Sequence, residues 1–208
     1  MEYNIIIAGV GGQGVVTLGS LIAEATMDAG LNVVMSEIHG LSQRGGSVSV
    51  DVRIGDVRSP ITPDGSANLI IGLEGMEGFR MLGKANADTL LLVNSRRMTP
   101  VYLGIRGKEY PDLKEMAKAV GGTVRILFID GENLASEAVS ERAAGTALLG
   151  AALAMHEIPV SENNVNSALS RRFSGKILAL NHKALDLGMR YGAQLLKGSN
   201  VPVPTGKP

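Results

Sequence analysis

Apolar residues recur along this chain with two different spacings, and the spacing changes at glycines. The run YNIIIAG, which begins at Tyr3, is short, apolar and β-branched, as in a buried strand. The segment from Val15 to Gly30 places Val, Leu, Ile and Ala at helical spacing, and LNVVMSE, from Leu31, reads as a second strand. A strand, a helix and a strand joined by short connections predict a right-handed crossover with parallel pairing of the two strands.

A different pattern begins at Ser47. The sequence SVSVDVRIG alternates strictly, with Val and Ile on one face and polar residues on the other, which predicts a half-solvated strand that is antiparallel or at a sheet edge. Later apolar runs predict buried strands separated by short helices. The runs are NLIIGL, DTLLLVNS and TVRILFID, and the helix candidates are Glu74 to Leu82 and Leu113 to Ala119.

The second half of the chain is mainly helical. RAAGTALLGAALAMHE is rich in Ala and Leu, and Pro159 is expected to end it. Ser161 is a candidate N-cap for the next helix, and ILALNHKALDLGMRYGAQLL forms a last amphipathic helix. The end of the chain holds three prolines and little apolar surface, so we expect a single domain over residues 1–197 and a disordered tail over 198–208.

Composition narrows the class of protein. A length of 208 residues suits one domain, and 20 basic against 20 acidic residues give no net charge, so we expect neither nucleic acid nor membrane as a partner. The chain has no cysteine, which excludes disulfides and removes the thiolate ligands of iron-sulfur clusters. The start MEYNIIIAGVGGQG does not resemble a signal peptide, and no apolar run approaches the ~20 residues of a membrane span, so a cytoplasmic location is predicted.

Glycines 9, 11 and 14 form a G-x-G-x-x-G pattern between the first strand and the first helix. Such a turn lets backbone N–H groups approach a phosphate, and Glu37 follows at about the distance of a ribose-binding acid. A stand-alone dinucleotide-binding module is therefore one hypothesis, and a tight turn that only packs against a neighbouring chain is another. Too little chain remains for a dehydrogenase's substrate domain. The expected fold is α/β, a single Rossmann-like three-layer domain with a mostly parallel sheet and a helical C-terminal part.

Residues 37–47, here called the rim segment, concentrate polar groups and glycines between two strands. Arg44 offers a planar fork for carboxylate or phosphate, and His39 can donate, accept or carry a proton. The segment should emerge beside the glycine turn, at the end of an α/β sheet where ligands bind. In the simpler alternative Glu37 pairs with Arg44, His39 satisfies a backbone carbonyl, and the segment only turns a corner.

Several motifs together resemble the gamma-type subunit family of the 2-oxoacid:ferredoxin oxidoreductases. They are GVGGQGVVTLGSLIAEA, SEIHGLSQRGGSVSVDVRIG, SPITPDGSANLIIGLEGMEGFR and the later VNS. Within the family, the form EIHGLSQRGGSV resembles the beta subunit of indolepyruvate ferredoxin oxidoreductase. The resemblance covers about residues 3–190 and is most specific in the first half.

The resemblance implies a non-catalytic but required subunit of a complex that converts an arylpyruvate, such as indolepyruvate, to an acyl-CoA and passes electrons to ferredoxin. A large alpha subunit would carry thiamine diphosphate, magnesium and the iron-sulfur clusters. The present chain would bind no cofactor tightly alone, would face CoA or the partner, and could form a homodimer in isolation. Its predicted binding residues are Gly9, Gly11, Gly12, Gln13, Gly14, Glu37, His39, Ser42, Gln43, Arg44, Gly45 and Gly46.

No catalytic or metal-binding residue is expected in this chain. It has no G-x-S-x-G motif, and His39, His156 and His182 are far apart in sequence. Asp130-Gly131 followed by Asn163-Asn164 partly matches a thiamine diphosphate pattern. The leading glycine of that pattern is replaced by isoleucine, and the second part reads better as a helix start.

Overall fold

The computed structural model describes residues 2–40, 46–95, 110–120, 122–131, 133 and 141–198. Rim residues 41–45 and the predicted tail, apart from Gly198, lie outside this part. One six-stranded sheet organises the described chain, in the order β2-β3-β1-β4-β5-β6. The strands are β1 (Glu2–Val10), β2 (Val33–His39), β3 (Ser47–Gly55), β4 (Ala67–Gly72), β5 (Ala85–Asn94) and β6 (Arg125–Ile129).

The strand directions correct one prediction. The neighbouring strands β1, β4, β5 and β6 are parallel, whereas β3 runs antiparallel to both β1 and β2. Because β3 lies between them, β1 and β2 run in the same direction without pairing, so the predicted direct pairing of these two strands is wrong. The sheet as a whole is mostly parallel, as the sequence predicts.

Of the two alternatives predicted for β3, the antiparallel direction is confirmed, and the strand lies inside the sheet. The predicted half-solvated face is wrong. Its polar residues are buried because the chain after the strand folds back over them. The Arg53 guanidinium donates to the carbonyl of Ser59 at 2.6 Å and to Asn4 Oδ1 at 2.8 Å, and Asp51 Oδ2 accepts from the amide of Thr62 at 2.8 Å. Polar partners thus replace water on this face.

Helices cover both faces of the sheet. Side chains of the helix α1 (Val15–Asp28) pack with Ile5 and Ile7 on one face, and Phe79 of the helix α2 (Gly75–Arg80) packs with Ile6 and Ile70 on the other. The domain therefore has the three layers predicted. The helices are α1 (Val15–Asp28), α2 (Gly75–Arg80), α3 (Leu113–Ala119), α4 (Ala144–Ala154), α5 (Glu162–Arg172) and α6 (Gly175–Gly198), with short 3-10 turns at Met81–Lys84 and Glu141–Ala143.

Helices α4 and α6 make an unusually close contact through glycine. A Cβ atom at Gly188 would lie 1.9 Å from the carbonyl oxygen of Ala147, and one at Gly150 would lie 2.2 Å from that of Leu185. These positions admit no side chain, so the two backbones touch.

Among the described residues, no helix is both long enough and apolar enough to span a bilayer.

Candidate functional site at the carboxyl end of the sheet

The connections after β1 and β4 leave the sheet toward opposite faces. Helix α1 follows β1 onto the face that holds Ile5, and α2 follows β4 onto the face that holds Ile6. A crevice therefore lies between the carboxyl ends of these two parallel strands. In open α/β sheets this is the usual place for a ligand.

Gln13 bridges this crevice with its side-chain amide. Its Oε1 accepts from the main-chain N–H of Val10 at 2.8 Å, and its Nε2 donates to the carbonyl of Leu73 at 3.2 Å. Gly9 packs directly beneath it, since a Cβ there would lie 2.8 Å from Gln13 Oε1. The inner part of the crevice is thus filled by the chain itself.

The glycine turn has two kinds of glycine. Gly12 and Gly14 have φ values of 102° and 84°, which favour glycine, and a Cβ on either would meet no atom within 4 Å. Gly11 has a different role, because its N–H donates to the carbonyl of Gly46 at 2.9 Å. That donor binds the root of the rim segment, whereas in a dinucleotide site it would be available to a phosphate.

The described ends of the rim segment extend the ladder between β2 and β3. The N–H of Gly40 donates to the carbonyl of Ser47 at 2.9 Å. Glu37 and His39 are exposed, and Glu37 Oε2 lies 3.1 Å from His39 Nε2, within hydrogen-bonding distance. The pair between Glu37 and Arg44 in the simpler alternative stays a prediction, because Arg44 lies outside the described residues. The predictions for Ser42, Gln43, Arg44 and Gly45 fall outside the described residues and stay predictions.

Two buried carboxylates beside the rim segment were not predicted from the sequence. Glu77 Oε2 accepts from the Ser47 hydroxyl at 2.6 Å, and Glu74 Oε2 accepts from the amide of Glu77 at 2.9 Å. Glu74 also accepts from the phenol of Tyr110. Burial raises the pKa of Glu74, although these hydrogen bonds act in the opposite direction. The only sequence signal is the glycine spacing in GLEGMEG, which allows α2 to lie close to the sheet.

A cavity of about 610 Å³ opens beside the glycine turn, and its lining includes Gln13, Leu73 and Asn94 at the carboxyl end of the sheet. Its walls are mainly apolar, and they come from the turn, α1, the start of α4 and the start of α6. Thr146 and Asn181 face each other there through a 2.7 Å hydrogen bond, and Arg142 is exposed at the same place. Its dimensions suit a small organic molecule or a side chain of a partner.

The described residues contain no group of three His, Cys, Asp or Glu side chains that could hold a metal ion. The Asn163-Asn164 pair does not fit a thiamine diphosphate site, because the Asn164 side chain accepts from the Ser161 amide at 3.0 Å in a capping box that starts α5. The predicted helix start at Ser161 is confirmed. His156 lies just past α4 with φ of 58°, and His182 bonds to Asn166 at 2.8 Å.

The fold and the site define the class of protein. It is an α/β domain whose crevice at the carboxyl end of the sheet is partly filled by its own Gln13 side chain. Comparisons with known proteins give the family. A model of the pyruvate ferredoxin/flavodoxin oxidoreductase family matches residues 4–191. The chain belongs to this family of oxidoreductases, as the sequence motifs predict.

Two relatives match almost the whole chain. Indolepyruvate oxidoreductase subunit IorB of Archaeoglobus fulgidus is 39% identical over 189 residues, which cover 90% of this chain and 94% of that protein. The subunit of the same name from Methanothermobacter thermautotrophicus is 35% identical over 197 residues, 93% of this chain and 100% of that protein. Both are named as subunits of an oxidoreductase, consistent with the predicted role of this chain as an oxidoreductase subunit.

Solved structures share the fold at lower identity. The gamma subunit of a keto/oxoacid ferredoxin oxidoreductase from Geobacter sulfurreducens has a TM-score of 0.69 and 24% identity, and the match covers 92% of this chain and 99% of that one. A 2-oxoglutarate:ferredoxin oxidoreductase from Magnetococcus marinus, solved with 2-oxoglutarate, coenzyme A and succinyl-CoA, has a TM-score of 0.73 and 23% identity. This match covers 96% of the present chain but only 32% of that chain.

Proposed function

We propose that this protein is the non-catalytic but required subunit of an arylpyruvate:ferredoxin oxidoreductase, with indolepyruvate as the model substrate. The complex would decarboxylate the 2-oxo acid oxidatively, release an acyl-CoA and pass electrons to ferredoxin. The supporting observation is the joined surface of the glycine turn and the rim segment, held by the bond from Gly11 to Gly46. The identity of 35–39% to indolepyruvate oxidoreductase subunits supports the choice of substrate class.

The redox cofactors of such a complex would lie on a large partner subunit. This chain has no cysteine for an iron-sulfur cluster, and its Asn164 is engaged in a helix cap. Thiamine diphosphate and magnesium would therefore be held by the partner, which would also contact ferredoxin. The role that remains for the present chain is to shape the entrance to the partner's active site.

CoA would bind where this chain meets the partner. Gly12 and Gly14 leave the outer side of the glycine turn open, and the mainly apolar cavity lies next to them. We assign eleven of the twelve predicted binding residues, including Arg44 of the rim segment, to the surface that faces CoA and the partner. Gly9 is the exception, because it is buried beneath Gln13. Tight binding of CoA by the isolated chain is not expected, since half of such a site would be missing.

The test is reconstitution with the large partner subunit that the proposal requires. The isolated chain should not convert indolepyruvate, and adding it to the partner should restore CoA-dependent reduction of ferredoxin. Turnover by the isolated chain would refute the proposal. Arg44→Ala should weaken turnover or assembly in the complex. As a control, Arg172→Ala removes an arginine that pairs with Glu24 on a surface between α1 and α5, and it should leave both unchanged.

A stand-alone dinucleotide-binding module is the second candidate, and it has no support from the relatives. The Gly11 donor and the Gln13 amide are both used within the chain. Calorimetry with NAD(H) and NADP(H) separates the two candidates, because micromolar binding would favour the module.

The cytoplasmic location and a homodimer of the isolated chain also stay predictions, and size-exclusion chromatography with light scattering tests the homodimer.

A further inference from the structure

We infer that Glu77 is a positioning residue that fixes the described ends of the rim segment, Gly40 and residues 46–47, through the hydroxyl of Ser47. This inference rests on the proposed function, because it concerns how the surface that faces CoA and the partner keeps its shape. The contact is direct: the Ser47 hydroxyl donates to Glu77 Oε2 at 2.6 Å, and Glu77 is 1% exposed. A hydrogen bond to a buried carboxylate is among the stronger kinds of polar contact.

Ser47 is the point at which three parts of the site meet. Its carbonyl accepts from the Gly40 amide, which closes the base of the rim segment. Its backbone pairs with Val10 at the end of β1, next to the bond from Gly11 to Gly46. Its hydroxyl reaches α2 on the far face of the sheet. Movement of Ser47 would therefore shift the described ends of the rim segment and the glycine turn together.

Glu77 is held in place by a short series of contacts behind it. Its amide donates to Glu74 Oε2 at 2.9 Å, and Glu74 also accepts from the Tyr110 phenol. A Cβ at Gly75 would lie 2.9 Å from the Tyr110 oxygen and 2.3 Å from Leu113 Cδ1. Glycine at position 75 thus leaves the space in which Tyr110 reaches Glu74, and α2 presents Glu77 to Ser47 from a fixed position.

The two oxygens of Glu77 have different surroundings. Oε2 accepts from Ser47, whereas Oε1 is buried and has no hydrogen-bond partner within the described part of the chain. Its ion-pair partner, Arg80, lies 3.7 Å away, beyond hydrogen-bonding distance. A buried carboxylate in this setting has few other hydrogen-bond donors, so the Ser47 hydroxyl is the main contact of Glu77 with the rim segment.

The first experiment needs no partner chain. Amide hydrogen exchange is measured for Gly40 and Gly11 in the isolated protein. Ser47→Ala should speed exchange of both amides at least fivefold, whereas Ser47→Thr, which keeps the hydroxyl, should stay within twofold of the original protein. Ser170→Ala is the control, because the exposed Ser170 hydroxyl donates to the backbone of its own helix, at Asn166. Equal exchange in Ser47→Ala and the original protein would overturn the inference.

The second experiment uses the reconstituted complex. Ser47→Ala should raise KM for CoA, or the dissociation constant for the partner, at least fivefold while kcat changes less than twofold, and Ser47→Thr should restore the original value. Equal losses in the alanine and threonine variants would also overturn the inference. If the original chain itself fails to assemble or support turnover, the proposed function fails, and the exchange experiment still decides whether Ser47 and Glu77 position the segment.

Discussion

The main-chain N–H of Gly11 donates to the carbonyl oxygen of Gly46 at 2.9 Å. This bond joins the turn between β1 and α1 to the segment between β2 and β3, so the two parts of the candidate site form one surface. It also uses a donor that would face a phosphate in a dinucleotide-binding turn. The same bond thus supports a shared docking surface and weakens the nucleotide alternative.

Replacement of Gln13 by alanine should destabilise the protein. The amide of Val10 would lose its side-chain partner in a partly buried crevice, whereas the carbonyl of Leu73 would lose one of two donors and keep Asn94 Nδ2 at 3.1 Å. We expect the free energy of unfolding to fall by about 1–3 kcal/mol. Urea titration of this variant beside Gln194→Ala, an exposed glutamine of α6, tests the prediction. Equal midpoints for the two variants would contradict it.

Gly188→Ala should be more damaging than any surface change. Its Cβ would lie 1.9 Å from the Ala147 carbonyl oxygen, and backbone cannot move aside as a flexible side chain can. We expect a loss of about 3 kcal/mol or more in unfolding free energy. In contrast, a Cβ at Gly83 meets nothing within 4 Å, so Gly83→Ala should leave stability unchanged or raise it by up to about 1 kcal/mol. Thermal melts of both variants make the comparison.

Arg53→Lys tests whether Arg53 holds residues 59–62 over the polar face of β3. The guanidinium donates to Asn4, Ser59 and Ile61, and also contacts Glu2, and a lysine ammonium cannot reach all of these groups at once. The expected loss of unfolding free energy is about 1–3 kcal/mol. Arg58→Lys, at an exposed position, should change it by less than about 0.5 kcal/mol. A similar small effect at both positions would show that the cover does not depend on Arg53.

Asp51 should make stability depend on pH. Burial raises its pKa in the folded state, partly offset by the hydrogen bond from the Thr62 amide. A raised folded pKa gives a contribution that is present below the unfolded pKa of about 3.9 and is lost as pH rises through the folded pKa.

Asparagine at position 51 keeps an acceptor for the Thr62 amide but cannot ionise. The unfolding free energy of Asp51→Asn, relative to the original protein, should therefore increase as pH rises from 4 to 7. Urea titrations at several pH values measure this difference. A difference that is constant or falls with pH would contradict the assignment.

Local sequence patterns predict part of the fold well. The bounds of α3, Leu113–Ala119, and the start of α5 at Ser161 match the structure because each depends on nearby residues. The environment of β3 could not be predicted in this way. Its alternating pattern is typical of a half-solvated strand, but the cover comes from residues 59–62, which have no periodicity of their own.

The candidate site was predictable only in its backbone features. Glycine spacing indicates the turn, since Gly12 and Gly14 need positive φ. Glu74 and Glu77 look like ordinary acids at a helix start, and nothing nearby in sequence indicates that Ser47 and Tyr110 will meet them. Such contacts between distant segments follow from the arrangement of strands, which the pattern of a single segment does not contain.

The Gln13 side chain has a consequence for protein engineering. An attempt to turn this domain into a nucleotide-binding protein would naturally begin with the acid at the end of β2. A substitution of that acid, Glu37, should fail alone, because the Gln13 side chain already fills the crevice and hydrogen-bonds to the backbone of Val10 and Leu73. A designer would first have to remove Gln13 and then supply a new acceptor for the Val10 amide, whereas the Leu73 carbonyl would still accept from Asn94 Nδ2.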